Sequence, residues 1–270
     1  MNYQVSKRTL RAVVFFVLLS LHLMVPRNVT SSIAASAGPL ISVAKSAEIQ
    51  QPADTLKPSL PTLELPAKDS ALLAADALYS SLGLARKGLS RQAFQTAWKG
   101  YKSLVSKGKI GREEILSICD FSQSSKSRRL YIIDVEEKKL LMQTFVAHGR
   151  NSGSEFARNF SNRPESHQSS LGFYVTRSTY YGEHGLSLKI DGLERGINDK
   201  AFARHIVVHG SDYVGKDFLK SNKVTGRSFG CPAVPREQAP KIIETIKQGS
   251  CLFIYHPSKK YLNASKILNV

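Results

Sequence analysis

The chain has 270 residues, 42% of them hydrophobic, with a formal net charge of +17. That suffices for one sizeable packed domain with appendages rather than a string of domains. The positive surplus points toward polyanionic partners (nucleic acid, anionic lipid or a carboxylate-rich cell wall), and charge alone does not choose among them.

Residues 1–37 read as an export signal. Lys7, Arg8 and Arg11 form a positive start, and the stretch holds no acid. Ala12 to Val25, AVVFFVLLSLHLMV, is an apolar core of 14 residues. A spanning helix needs about 20 such residues and a signal core roughly 7–15. Ala35-Ser36-Ala37 supplies a small-residue cleavage site; an uncleaved anchor is the alternative. In both cases the rest of the chain leaves the cytoplasm, toward the periplasm or cell envelope. Membrane contact is then expected only through this segment, and nucleic acid is not an expected partner. Without these residues the net charge is still +13.

Residues 38–69 hold Pro39, Pro52, Pro58, Pro61 and Pro66 among Ser, Ala, Lys and Gln, which predicts an extended linker. Two helices follow, over 70–114. Leu72, Ala75, Leu78, Tyr79 and Leu82 recur at helical spacing before Gly83. Ser90 is placed to cap a second helix, whose apolar face is Phe94, Ala97, Trp98, Tyr101, Leu104 and Val105, with Gly108 beyond its end. They read as a scaffold packed on the main domain.

From Ile115 the pattern turns to strands. RLYIIDV (129–135) and LLMQTFVA (140–147) read as a hairpin around Glu136-Glu137-Lys138-Lys139. A Gly/Ser/Asn-rich loop spans 148–172. Further strand candidates are 171–176, 187–190, 205–208 and 251–255, with a helix over Ala239, Ile242, Ile243 and Ile246 that stops near Gly249. The expected fold is mainly β with a few helices (α+β), its main domain covering 115–258.

Three cysteines, Cys119, Cys231 and Cys251, make an odd number for an exported chain, so at least one thiol is unpaired within it. Cys119 and Cys251 could bridge, though nothing in their spacing demands it, and they read as small buried hydrophobes. Cys231 stands between Gly230 and Pro232, neighbours that suit neither mid-helix nor a central strand. His209 ends the apolar run Ile206-Val207-Val208 and precedes Cys231 by 22 residues. An imidazole beside a thiol can take its proton, and the resulting thiolate attacks a carbonyl. Pro232 has no N–H, so an oxyanion would be met by the amides of Phe229, Gly230 and Cys231.

His209-Gly210 followed by Ser228-Phe229-Gly230-Cys231 resembles the paired signature of the YkuD-type L,D-transpeptidases, most closely their variant branch of murein L,D-transpeptidase catalytic domain proteins. Further segments in that branch's style are Asp120-Phe121-Ser122, His148-Gly149-Arg150-Asn151-Ser152-Gly153, Phe160-Ser161-Asn162, Ser169 to Tyr174, and Gly192-Leu193-Glu194 with Asn198-Asp199. The resemblance covers roughly residues 75–256. It implies a YkuD-like β-rich catalytic fold and an acyl-enzyme formed on a peptidoglycan stem tetrapeptide, at the L-centre of a diamino acid followed by D-Ala. A second stem's amine would resolve it into a cross-link. Cys231 carries over as nucleophile, His209 as general base, and the Phe229, Gly230 and Cys231 amides as oxyanion donors. The commoner relatives have histidine where Phe229 stands and arginine or asparagine where Ala233 stands. Arg227, Arg204 and Arg150 are therefore candidates for the missing cation, and His148, Asn151 and Ser228 are further candidates for substrate contact.

Three other readings stand beside this one. His205, His209 and Asp212 form H-x-x-x-H-x-x-D, which invites zinc. On a strand, however, residues four apart lie roughly 13 Å from each other, too far for one ion. No metal or organic cofactor is expected. An L,D-carboxypeptidase would share the acyl-enzyme and use water as acceptor. A non-catalytic wall-binding protein would use the charge alone. His167, His184 and His256 have no evident partner in the sequence.

Overall fold

The structure is a computed structural model that describes residues 67–269. The export signal and most of the linker lie outside the described residues. Among those described, no helix is long and apolar enough to cross a membrane.

The chain opens with α1 (Ala67–Ser81) and α2 (Arg91–Ser106). Ser90 begins α2 as its spacing predicts: its hydroxyl accepts the Ala93 amide at 3.1 Å. Phe94, Ala97, Gly100, Tyr101 and Leu104 form the buried face. That face lies on β1 (Arg112–Asp120) and β8 (Ser250–Tyr255), and Gly100 lies against the ring of Phe173. A Cβ there would meet Phe173 Cζ at 2.0 Å, and Phe173 is itself stacked on Phe253 at 4.1 Å. Alanine in place of glycine ordinarily steadies a helix by about 1 kcal/mol. Here overpacking, typically about 1–3 kcal/mol, opposes that gain. Gly100→Ala is therefore expected to lower the urea midpoint rather than raise it.

Between β1 and β8 run β2 (Leu130–Asp134), β3 (Lys139–Thr144), β4 (Gly172–Gly182), β5 (Gly185–Gly192), β6 (Val207–Ser211) and β7 (Ala233–Pro235). They form one eight-stranded sheet in the order β3-β2-β1-β8-β4-β5-β6-β7. Its centre, β1 and β8, is parallel and almost wholly buried, which explains the continuous apolar runs there. Cys119 and Cys251 sit in this pair, free and buried, with Ile254 and Leu116 as their respective cross-strand partners. The β2–β3 hairpin turns where Asp134 accepts the Glu136 and Glu137 amides at 3.1 and 2.7 Å. Past β3 the chain reaches the far end of the sheet, where the Ala147 amide donates to the Ala233 carbonyl at 2.8 Å.

Three elements escape the sequence pattern. β7 is three residues long, and α3 (Lys216–Ser221) buries none of its side chains. Packing also continues past residue 258, into α5 (Lys259–Ala264). Tyr261 and Leu268 join the core, and Glu194 accepts the Ser265 hydroxyl at 2.6 Å. α4 (Ala239–Ile246) buries Ala239, Ile242, Ile243 and Ile246 against β5 and β6, as the periodicity predicts.

Candidate active site

β6 and β7 are parallel neighbours, with His209 paired to Ala233. A parallel pair needs a crossover of a dozen or more residues, and α3 with its flanking loops provides it. This accounts for the 22 residues between His209 and Cys231. The sheet thereby brings Cys231, two residues ahead of Ala233, to the same end as His209. Both line a cleft of about 710 Å³, together with Tyr180, His184, Arg227 and Phe229.

The turn that carries the thiol is braced from three sides. Ser228 is buried; its hydroxyl donates to the Cys231 carbonyl at 2.6 Å and accepts the Gly230 amide at 3.0 Å. Ser169 donates to the Gly230 carbonyl at 3.1 Å. The backbones of His148 and Arg150 hold Ser228 from the outside, at 3.1 and 2.7 Å. Gly230 has φ +127°, and a Cβ there would meet the Gln168 carbonyl at 2.8 Å. Only glycine suits that position. The Phe229 amide donates to no protein acceptor among the described residues, and the Cys231 amide faces only its own thiol. Of the three amides expected as oxyanion donors, that of Gly230 is held at rest by the Ser228 hydroxyl.

The thiol is half-buried. It accepts the Val207 amide at 3.5 Å and donates to the His205 carbonyl at 3.6 Å. Burial pushes its pKa up. His209 is buried, and its Nδ1–H donates to the Gly210 carbonyl at 3.1 Å, so Nε2 carries the lone pair. Burial is the main cause that lowers the His209 pKa, and His184 adds to the effect. Both groups therefore rest neutral, as thiol and imidazole rather than as an ion pair.

The other candidates separate sharply. Arg227 lines the cleft, exposed, with one long bond to the Gly153 carbonyl at 3.3 Å. Phe229 is 63% exposed at the cleft wall. Its ring lies 4.5 Å from that of His167, and Arg150 packs over it at 5.5 Å. Arg204 is no free cation: its fork is spent on the Ser161 and Gln168 carbonyls and the Ser170 and Ser166 hydroxyls. Asn151 turns its amide to the Ser166 carbonyl at 2.9 Å and so pins the loop rather than facing the cleft.

His148 is likewise not a substrate contact. It is fully buried, with Nδ1 accepting from Arg129 at 2.7 Å and Nε2–H donating to the Gly153 carbonyl at 3.2 Å. Arg129, which the sequence hides inside a strand pattern, is also fully buried. It donates to the Val146 carbonyl at 3.1 and 2.9 Å and to the Gln123 carbonyl at 2.8 Å, over the Phe121 ring at 4.8 Å. The pair is the inner support of the loop behind the thiol.

His205 sits in a turn at φ +54° ahead of β6, and Asp212 is ion-paired with Arg236. Among the described residues no group of three His, Cys, Asp or Glu side chains is arranged to hold a metal ion. The sequence reading missed His184, whose ring stacks on His209 at 4.3 Å. The signal present was a histidine flanked by Gly182 and Gly185, between two strand patterns.

The L,D-transpeptidase catalytic domain family matches residues 85–255. Solved structures similar to this chain include an L,D-transpeptidase from Mycobacterium smegmatis, at 10% identity and TM-score 0.33, covering 53% of this chain and 59% of that one. Another, from Mycobacterium tuberculosis, stands at 13% identity and TM-score 0.30, with 53% and 58% covered. The helical cell shape determining protein Pgp2 from Campylobacter jejuni stands at 12% identity and TM-score 0.37, with 63% and 62% covered. The chain thus spans about three-fifths of each of these structures. A search of curated proteins finds no match.

Proposed function

This chain belongs to the L,D-transpeptidase catalytic domain family, and from that premise we propose that it is a cysteine-dependent acyltransferase acting on peptidoglycan stem tetrapeptides. The observation that carries the reading is that Cys231 and His209 face one cleft, Cys231 from a turn whose Phe229 amide is unspent and His209 from β6. We assign 70–114 as the helical scaffold of a catalytic domain beginning at 115. We further infer that the domain works outside the cytoplasm, in the periplasm or cell envelope.

In this reading Cys231 swings its S–H from the His205 carbonyl toward His209 Nε2. The sulfur attacks the carbonyl carbon at the L-centre of the diamino acid while Nε2 takes the proton. The oxyanion is received by the Phe229 and Cys231 amides, joined by that of Gly230 when Ser228 releases it. The C–N bond to D-Ala breaks, and His209 returns the proton to the departing amine. An amine of a second stem then attacks the thioester. A new amide forms, the C–S bond breaks, and the thiol regains a proton through His209. Arg227, exposed on the cleft, is suited to a substrate carboxylate, and Phe229 offers an apolar face beside it.

Incubation with tetrapeptide muropeptides, followed by product analysis, tests the reaction. Cross-linked dimers are expected. Trimmed stems without dimers would move the reading to a carboxypeptidase. No turnover would leave only wall binding.

A further inference from the structure

The tip of the β4–β5 hairpin leans over the candidate base. Its strands pair Tyr180 with Ser187, Tyr181 with Leu186 and Gly182 with Gly185, leaving Glu183 and His184 as the turn. Gly185 has φ +76°, a conformation that closes such turns. One strand further, Ser187 pairs with His209. The hairpin thus ends above β6, and the exposed His184 ring lies face to face with the His209 ring, at 4.3 Å and an interplanar angle of 21°.

A general base needs both a defined tautomer and a defined ring plane. The Gly210 carbonyl settles the tautomer through Nδ1–H. One hydrogen bond leaves the ring free to tilt about its axis, and a flat neighbour on its face removes that freedom. We propose that His184 is a positioning residue for His209: its stacked ring holds the plane of the imidazole that takes the thiol's proton. The inference rests on the assignment of His209 as base.

The stack has an electrostatic side. A second imidazolium beside the first is unfavourable, and the His184 ring also shields His209 from water. The other charge that bears on His209 is Arg236, which is paired with Asp212. Glu165, His167, Glu183, Arg204, His205 and Arg227 also share the cleft.

The test compares wild type, His184→Ala and His184→Phe. Two quantities are read: the NMR titration of His209, and the rate at which p-nitrophenyl acetate acylates Cys231, corrected by Cys231→Ala. His184→Ala is expected to move the His209 titration to higher pH and to slow acylation at pH ~7 about tenfold, as a loosened base would. His184→Phe keeps a flat ring and should hold acylation within about twofold of wild type. The hairpin tip is exposed, so thermal unfolding should be unmoved in both variants. An unmoved titration with a wild-type rate in His184→Ala would overturn the proposal. If wild type turned over no muropeptide, the stem-peptide reading would fail, while these two readouts would still decide the role of His184.

Discussion

His209→Gln is expected to slow formation of the acyl-enzyme by about 10²–10⁴, the usual contribution of a positioned general base, while leaving the unfolding midpoint near that of wild type. Glutamine keeps a similar polar volume beside the Gly210 carbonyl and cannot take the thiol's proton. The pH profile adds a sign. Burial lowers the His209 pKa, so the neutral base persists to lower pH than a free imidazole would allow. Burial raises the thiol pKa, so the protonated nucleophile persists to higher pH. Wild-type acylation should therefore hold across neutral pH and fall on the acid side only below the free-imidazole value of 6.5. Stopped-flow acylation across pH reads both effects.

Arg129→Met is the second large effect, and it falls on stability. The guanidinium is fully buried, and burial brings its pKa down to about 10, still far above neutral. A full charge is thus held inside by the Val146 and Gln123 carbonyls, the neutral His148 and the Phe121 face. Methionine fills the space and strands those acceptors without donors. Each buried orphan costs about 1–3 kcal/mol, so the expected loss is about 3–5 kcal/mol, a large share of a typical domain's stability. Urea unfolding measures it. The same cluster sets an acid limit. Burial and the Arg129 charge hold His148 at about 4, against 6.5 for the free side chain. The unfolded chain therefore binds the proton more tightly than the folded one. The contribution of His148 is complete above pH ~6.5 and is lost as pH falls from there toward ~4, about 3 kcal/mol in all.

Much of this arrangement was legible from residue patterns. The Ser90 cap and the apolar face after it mark α2. The β2–β3 hairpin follows from two apolar runs around charged turn residues. The thiol's odd neighbours, Gly230 and Pro232, mark a turn held apart from regular structure, and the structure adds the reason for Gly230 in its positive φ. What stayed hidden rests on distant contacts. Nothing local in Ala233-Val234-Pro235 signals a strand; its pairing with β6 makes it one, and proline is tolerated there because β7 ends the sheet order. The sequence KKYLNA reads as polar, yet Tyr261 anchors α5 in the core. His148 sits in a loop rich in Gly, Ser and Asn, a composition that predicts exposure, and only the buried Arg129 explains why it is inside. His184 became visible only when the hairpin was folded over β6.

If Cys231 is the nucleophile, it carries the acyl group between donor and acceptor. The most direct test is the intact-protein mass of the purified protein after incubation with a stem-tetrapeptide muropeptide. Wild type is expected to gain a mass equal to the donor less its terminal D-Ala, and Cys231→Ala to gain none. A wild-type mass that never changes, or the same adduct in Cys231→Ala, would contradict it.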